Sequence, residues 1–403
     1  MDEAMNNKPI IGMVFHGEYP THPRIENQAL YLLSEGAEIH LFCVTYQKQN
    51  AGIEIYKGIH VHRYYCKKWM YKVSALAYTI PLYHSLIKGK LLDFMSRVKP
   101  DVIHLHNMYL AEPVYNLASK QRIPVILDIH ENVPEIMKFY PHLQSGLGKL
   151  LIKPSVWKRK EEEFILKSDG IIVVTSDAKN ELEQRTGAAP SKTLVLPNFT
   201  DPSFEKAAYD FGLINKFKGN FNAIYVGDTG KRRGIESVIK AIPLILKEIS
   251  NFHLIVVGAS NNDQALRDLA KQMNVDQHIS FEGWQPESIL SDYIYLSDIG
   301  ICPLLRNIHH DTTYANKLFQ YAMLGKPILA SNCTAQKNLI ENEKWGLIHE
   351  SEDSLDFAKQ FIDLYNNTQL RKQCGENGAK AIASKYNYPS SEFGIAYYQK
   401  LIR

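Results

Sequence analysis

Strand-like apolar runs alternate with helix-period segments along almost the whole chain, and this alternation leaves few folds open. It specifies parallel strands joined by crossover helices. The first stretch offers strands at Ile10–Phe15, Glu38–Val44, Val102–His106, Val125–Ile129, Ile171–Thr175 and Thr193–Leu196. Helical candidates lie between them at Arg24–Glu35, Tyr71–Val98, Pro113–Ser119, Trp157–Lys167 and Ala178–Arg185. The second stretch repeats the grammar with Asn222–Val226, His253–Val257, Ile279–Phe281, Ile299–Cys302 and Pro327–Ala330. The expectation is an α/β protein of two doubly wound, Rossmann-like domains, 1–200 and 220–385. A linker at 201–219 is expected because Pro202, Gly212 and Gly219 interrupt both periodicities. The tail 386–403 reads as a helix whose Phe393, Tyr397 and Tyr398 need a surface, so it should pack back on the first domain.

A length of 403 residues accommodates two such domains, and 46 basic against 43 acidic side chains leave a formal +3. That is too little for a surface that neutralises a nucleic-acid backbone, so no nucleic-acid partner is expected. The five cysteines are odd in number, scattered and without metal-ligand spacing, which fits a reducing cytosol. The first apolar run, Ile10–Phe15, is too short for a signal-peptide core, and no run approaches a membrane span. A cytoplasmic protein is expected.

In open parallel sheets ligands gather beyond the carboxyl ends of the strands. After the first strand, Gly17 and Arg24 lie in a polar loop that enters a helix, and both are candidates for lining an interdomain cleft. The loop has no G-x-G-x-x-G, which removes the main support for a dinucleotide dehydrogenase. At the end of Val125–Ile129, His130 next to Glu131 suits proton exchange or a sugar hydroxyl. His104 and His106 share one strand face, but no third metal ligand is evident from the sequence. In the second half, Gly227-Asp228-Thr229-Gly230-Lys231-Arg232-Arg233-Gly234 places three consecutive cations before a helix, a pattern suited to a diphosphate. Gly258 ends the next strand and permits close approach of a base or ribose. Asn316, Lys317 and Gln320 open an amphipathic helix, whereas His309, His310 and Asp311 read as a polar loop.

These residues, taken in order, resemble the family-4 glycosyltransferases of the GT-B fold. The resemblance is carried by "PTHPRIENQALYLLSEGAEIHLF", "IPVILDIHENVPE", "SDGIIVVTSDAKNEL", "YVGDTGKRRGIESVIKAI", "LIVVGA" and "NKLFQYAMLGKPILAS". It implies two Rossmann-like domains facing a cleft and retaining transfer of a sugar from a UDP- or GDP-sugar to an acceptor glycan or lipid-linked sugar. His130 matches the family's histidine beside the donor sugar, Arg233 the residue that binds the diphosphate, and Gln320 the second glutamate of E-x7-E. The first glutamate falls at Thr312, and the arginine usual after the strand's glycine is Asp228, with Lys231 and Arg232 as alternative cations. No D-x-D occurs, so the resemblance implies metal-independent chemistry and no cofactor beyond the nucleotide-sugar substrate. Thr312 and Gln320 also motivate a second reading, a catalytically weakened partner subunit that keeps the fold.

Residues 63–99 contain eight cations against Asp93 alone, interleaved with Tyr64, Tyr65, Trp69, Tyr71, Tyr78, Tyr83 and Phe94. Such a segment suits anionic lipid headgroups, and peripheral attachment to the cytoplasmic face of a membrane is expected, in a role in cell-surface polysaccharide or glycolipid synthesis.

Overall fold

A computed structural model describes residues 8–80, 82–139, 143, 152–199, 204–206, 208–386 and 392–402. The chain forms two compact units: Met1–Pro197 with the tail Pro389–Arg403, and Asn198–Tyr388. Residues 201–203 and 207 of the expected linker and 387–391 of the expected tail lie outside the described residues, and Tyr386, the first residue of that tail, packs in the second unit.

The first unit is built on strands β1 (Ile10–Phe15), β2 (Glu38–Thr45), β3 (Gly52–Tyr56), β4 (Ile59–Tyr65), β5 (Val102–His106), β6 (Val125–Ile129), β7 (Gly170–Val173) and β8 (Thr193–Val195). Their order is β3-β4-β2-β1-β5-β6-β7-β8, all parallel except the β3–β4 hairpin. That hairpin goes beyond the alternation read from the sequence. Its turn residues Lys57 and Gly58 both have positive φ, at 49° and 86°, the backbone that a tight two-residue hairpin needs. Central strands such as Val102–His106 are buried along their length because apolar clusters cover both faces of the sheet.

The helix expected over Tyr71–Val98 is divided into Lys68–Ser74 and Leu82–Val98. The sequence gives the reason: Ile80 precedes a proline, and the residue before a proline is pushed out of the α region. The tail helix Ile395–Gln399 lies in the first unit, where Phe393 and Tyr398 are fully buried.

The second unit contains β9 (Phe221–Val226), β10 (Phe252–Val257), β11 (Ile279–Gly283), β12 (Ile299–Cys302), β13 (Ile328–Ser331) and β14 (Gly346–His349), in the order β11-β10-β9-β12-β13-β14 and all parallel. Within 201–219, the helix Phe211–Lys216 is capped by Asp210 and groups with this unit. His309, His310 and Asp311, read as a polar loop, instead lie in a short helix, Ile308–Thr312, with His309 and His310 buried. Asn307 drives this local fold by accepting from the His310 N–H at 3.0 Å, an N-cap.

Candidate functional site

The strand order reverses at β1 in the first sheet and at β9 in the second, and in each case the polar loops collect at the carboxyl ends around the reversal. In the first unit the hub is Asp128 on β6, a fully buried carboxylate. Arg24, in the first turn of the helix Pro23–Ser34, donates from Nε and Nη2 to its two oxygens at 3.1 and 3.0 Å and from Nη1 to the Leu196 carbonyl at 3.0 Å. Gln28, one turn on, adds a hydrogen bond of 3.0 Å. Burial opposes ionisation of Asp128, but Arg24, His104, His106 and His130 outweigh it and hold the carboxyl well below its usual range. Arg24 is therefore a buried partner of Asp128, and its guanidinium is committed there.

Around this pair lie imidazoles. His104 Nδ1 is 2.8 Å from the Tyr398 hydroxyl of the tail, and His106 and His130 approach Asp128 to 3.5 and 3.9 Å. His130 Nε2 is 3.0 Å from Asn107 Nδ2. Burial, reinforced by His22, Arg24 and His106 and opposed by Asp128, lowers the His130 pKa well below its ordinary value. His130 is thus a neutral imidazole at physiological pH, able to exchange hydrogen bonds with a hydroxyl but a poor store for a proton. His104, His106 and Asp128 group closely enough to suggest a metal. The carboxylate already accepts from Arg24 and Gln28, and the guanidinium supplies the positive charge, so the donor set is already engaged. Gly17 and Glu131 sit on the same rim, half-buried and exposed respectively. Behind Gly17, His16 stacks on Tyr109 with ring centroids 4.9 Å apart.

The second unit gathers the cations. Gly258 has φ +139°, and a Cβ there would stand 1.9 Å from the Gly227 carbonyl oxygen. Its glycine is thus explained by the meeting of two backbones, a reason different from the ligand approach read from sequence. Gly234, at φ +73°, is equally constrained, since its Cβ would lie 1.8 Å from the Pro303 oxygen. This close approach seats the turn Lys231–Arg233 beside the β12 exit, where the Leu305 N–H donates to the Arg232 carbonyl at 3.0 Å. Thr229 is buried and bonded to Ser260 at 3.0 Å, while Asn262 donates to the Thr229 carbonyl, so the loops after β9 and β10 are tied together.

Asp228 accepts from the Gly230 N–H at 3.0 Å and from Arg233 Nε at 3.2 Å, which orients the arginine. Lys317, in the first turn of the helix Asn316–Met323, is buried, with Nζ 3.5 Å from the centroid of the Tyr225 ring. Burial, as the largest cause, together with Arg233 and Arg232 and against Cys302 and Asp228, lowers its pKa to about 7. The helix starts at Ala315 with no side-chain cap, so its first-turn N–H groups add positive potential. Asn316 is exposed and accepts from Asn198 at 2.7 Å; Gln320 is half-buried one turn beyond Lys317. Thr312 donates to the Ile308 carbonyl at 2.8 Å, back into its own short helix. Arg232, Arg233 and Lys317 thus lie close together in the second unit, with Lys231 in the same turn as the arginines and Gln320 one turn further along the Lys317 helix. The burial of Lys317 and the Asp128 hub were not foreseen. Their signals were an Asp within an otherwise apolar strand and a Lys on the apolar side of an amphipathic helix.

Two doubly wound parallel sheets in one chain, with the second carrying a cationic strand-end cluster, define a GT-B protein. Residues 24–204 match the model described as Glycosyltransferase Family 4, and residues 211–381 match Glycosyl transferases group 1. The chain belongs to this glycosyltransferase family. Glycogen synthase of Mycobacterium tuberculosis is 21% identical over 276 residues, 68% of this chain and 63% of that protein. The capsular polysaccharide biosynthesis glycosyltransferase of Staphylococcus aureus is 23% identical over 231 residues, 54% of this chain and 57% of that protein. The chain thus spans about six-tenths of the length of these relatives. The structure of Anabaena HepE in complex with UDP shares the fold, with a TM-score of 0.69 at 13% identity over 94% of this chain and 96% of that one.

Proposed function

We propose that this chain transfers a sugar from a UDP- or GDP-sugar to an acceptor hydroxyl with retention of configuration, without a metal. The observation that carries the reading is the Lys317 ammonium, buried beside Arg232 and Arg233, in a cluster whose nearby carboxylate, Asp228, is engaged by Arg233. A buried excess of positive charge is costly until an anion neutralises it, and a diphosphate does so. Bond cleavage builds negative charge on the departing diphosphate, and donors already fixed by Gly234 and Asp228 stabilise that charge without reorganising. His130, neutral, hydrogen-bonds a sugar hydroxyl in this reading, and the rings around His16 provide stacking surface for the acceptor.

The acceptor is lipid-linked and the protein sits on the cytoplasmic face of an anionic membrane. Support comes from the helix Leu82–Val98, where Leu82, Leu86 and Leu92 are exposed on the outer arc with Lys88 close by, and from exposed Trp69 and Tyr71 on the preceding helix. The basic excess is smaller than the sequence count, because Arg63 pairs with Glu54 at 2.6 Å. Among the described residues no helix is long and apolar enough to cross a membrane. The relative named for capsular polysaccharide biosynthesis supports a cell-surface product.

The test is calorimetric titration with UDP, GDP and ADP, followed by NMR of donor consumption and product anomeric configuration in EDTA with lipid extract as acceptor. Tight binding of one nucleotide and a retained anomer support the reading; an inverted anomer or a requirement for added metal overturns it. Binding without turnover of any donor favours the partner-subunit reading, to which Thr312 and Gln320 point.

A further inference from the structure

Strands β2 and β4 are parallel neighbours in which His40 stands opposite His60 and Phe42 opposite His62. Alternate residues on a strand share a face, so Glu38, His40, His60 and His62 line one patch at the amino ends of these strands. The patch lies toward the opposite end of β2 from the strand-end loops, with His40 about 16 Å from the carboxyl end of the strand at about 3.3 Å per residue. The sequence carries it as Glu-Ile-His at 38–40 and His-Val-His at 60–62.

The contacts are close. Glu38 Oε1 lies 2.7 Å from His40 Nε2, and the His40 and His60 rings stack with centroids 4.6 Å apart and planes 13° apart. One ligand atom from each of Glu38, His40 and His60 lies within 4.8 Å of the others, and all three residues are half-buried, reachable from solvent yet positioned by the sheet. His40 Nδ1 is 3.0 Å from His62 Nε2, and His62 is itself packed edge-on against Phe94 at 5.1 Å.

We propose that Glu38, His40 and His60 form a binding site for a divalent zinc-class ion, oriented from behind by His62. Two imidazoles beside one carboxylate suit zinc, nickel or copper, whereas magnesium favours all-oxygen sites. With an ion on His40 Nε2, the proton of that ring resides on Nδ1 and is donated to His62 Nε2, the outer hydrogen bond that histidine ligands of metals characteristically make. Glu38 is the adjustable ligand: its side chain is 44% exposed and free to swing aside from His40 as the ion enters. The bound ion clamps β2 to β4, strands whose far ends lead to Tyr46 and to the Lys68–Ser74 helix. The buried His104, His106 and Asp128 group is the weaker candidate, because Arg24 already holds its carboxylate.

The experiment is titration of the untagged, chelator-stripped full chain with Zn2+ by calorimetry and with Co2+ by visible absorption. The expected result is one Zn2+ per chain, Co2+ d–d bands, a rise in Tm with Zn2+, and no heat with Mg2+. His40→Ala and His60→Ala each weaken Zn2+ binding more than tenfold, and His62→Ala does so about tenfold. Glu38→Gln, a half-exposed isosteric change that leaves folding intact, also weakens it. Unchanged Zn2+ stoichiometry and affinity in the His40→Ala/His60→Ala double variant, or in Glu38→Gln, overturns the site, as does equal binding of Mg2+.

Discussion

Lys317 condenses the chemistry of the second unit into one side chain. Burial and the neighbouring arginines bring its pKa to about 7, and a bound diphosphate reverses that shift. The sign follows: the protonated form binds the anion better, so affinity is full below pH 7 and falls as pH rises toward the higher pKa of the complex, by up to tenfold per pH unit. Calorimetry with UDP at pH 6 to 9 in buffers of different ionisation enthalpy should show proton uptake on binding. Lys317→Met should bind about 10- to 100-fold more weakly, with a flatter pH profile. Proton uptake persisting in Lys317→Met would assign it to another group. His130 calls for a different expectation, since burial lowers its pKa well below the ordinary histidine value and leaves the ring neutral at physiological pH.

At the scale of elements, the Arg24–Asp128 pair joins the first-turn face of a helix to the sheet beneath it, at full burial. Removing one partner of such a pair strands a charge, at a cost of about 3–5 kcal/mol. Arg24→Met should lower the urea midpoint accordingly, whereas Arg97→Met, which breaks an exposed pair with Asp93, should leave it unchanged. The outer face of Leu82–Val98 bears on a different property: Leu82→Glu with Leu86→Glu should abolish flotation with anionic liposomes while leaving the Tm within a few degrees. Retained flotation would remove this helix from the proposed membrane surface. These elements also show what was legible. Most of the parallel strands were, because full burial writes them as continuous apolar runs; β14, half-buried at the edge of the second sheet, was not. The β3–β4 hairpin was not, since β3 is an exposed edge with little apolar signal and its turn is set by backbone dihedrals at Lys57 and Gly58. The role of Asp128 was not, because only tertiary packing supplies the arginine that makes a buried carboxylate tolerable.

At the scale of the molecule, each unit has cores on both faces of its own sheet, but only the second is continuous in sequence. The first borrows Phe393 and Tyr398, and the latter also serves His104. Burying each such ring contributes about 1.5–3 kcal/mol, a large share of a domain's net stability of about 5–15 kcal/mol. Truncation after Tyr388 should therefore lower the melting transition of the first unit and open it to proteolysis, while the Asn198–Tyr388 transition stays in place. Scanning calorimetry with mass mapping of the cleavage sites checks this, and equal loss in both units would contradict it.

The same tail sets an order of events during synthesis. A nascent chain emerging at about 5–20 residues per second produces the whole first sheet, then waits roughly 10–40 s while Asn198–Tyr388 is made. Through that interval the aromatic seat for Phe393 and Tyr398 stands uncovered. The first half of this chain is the last to be finished, and the ribosome's delay is the period in which a chaperone has most to protect.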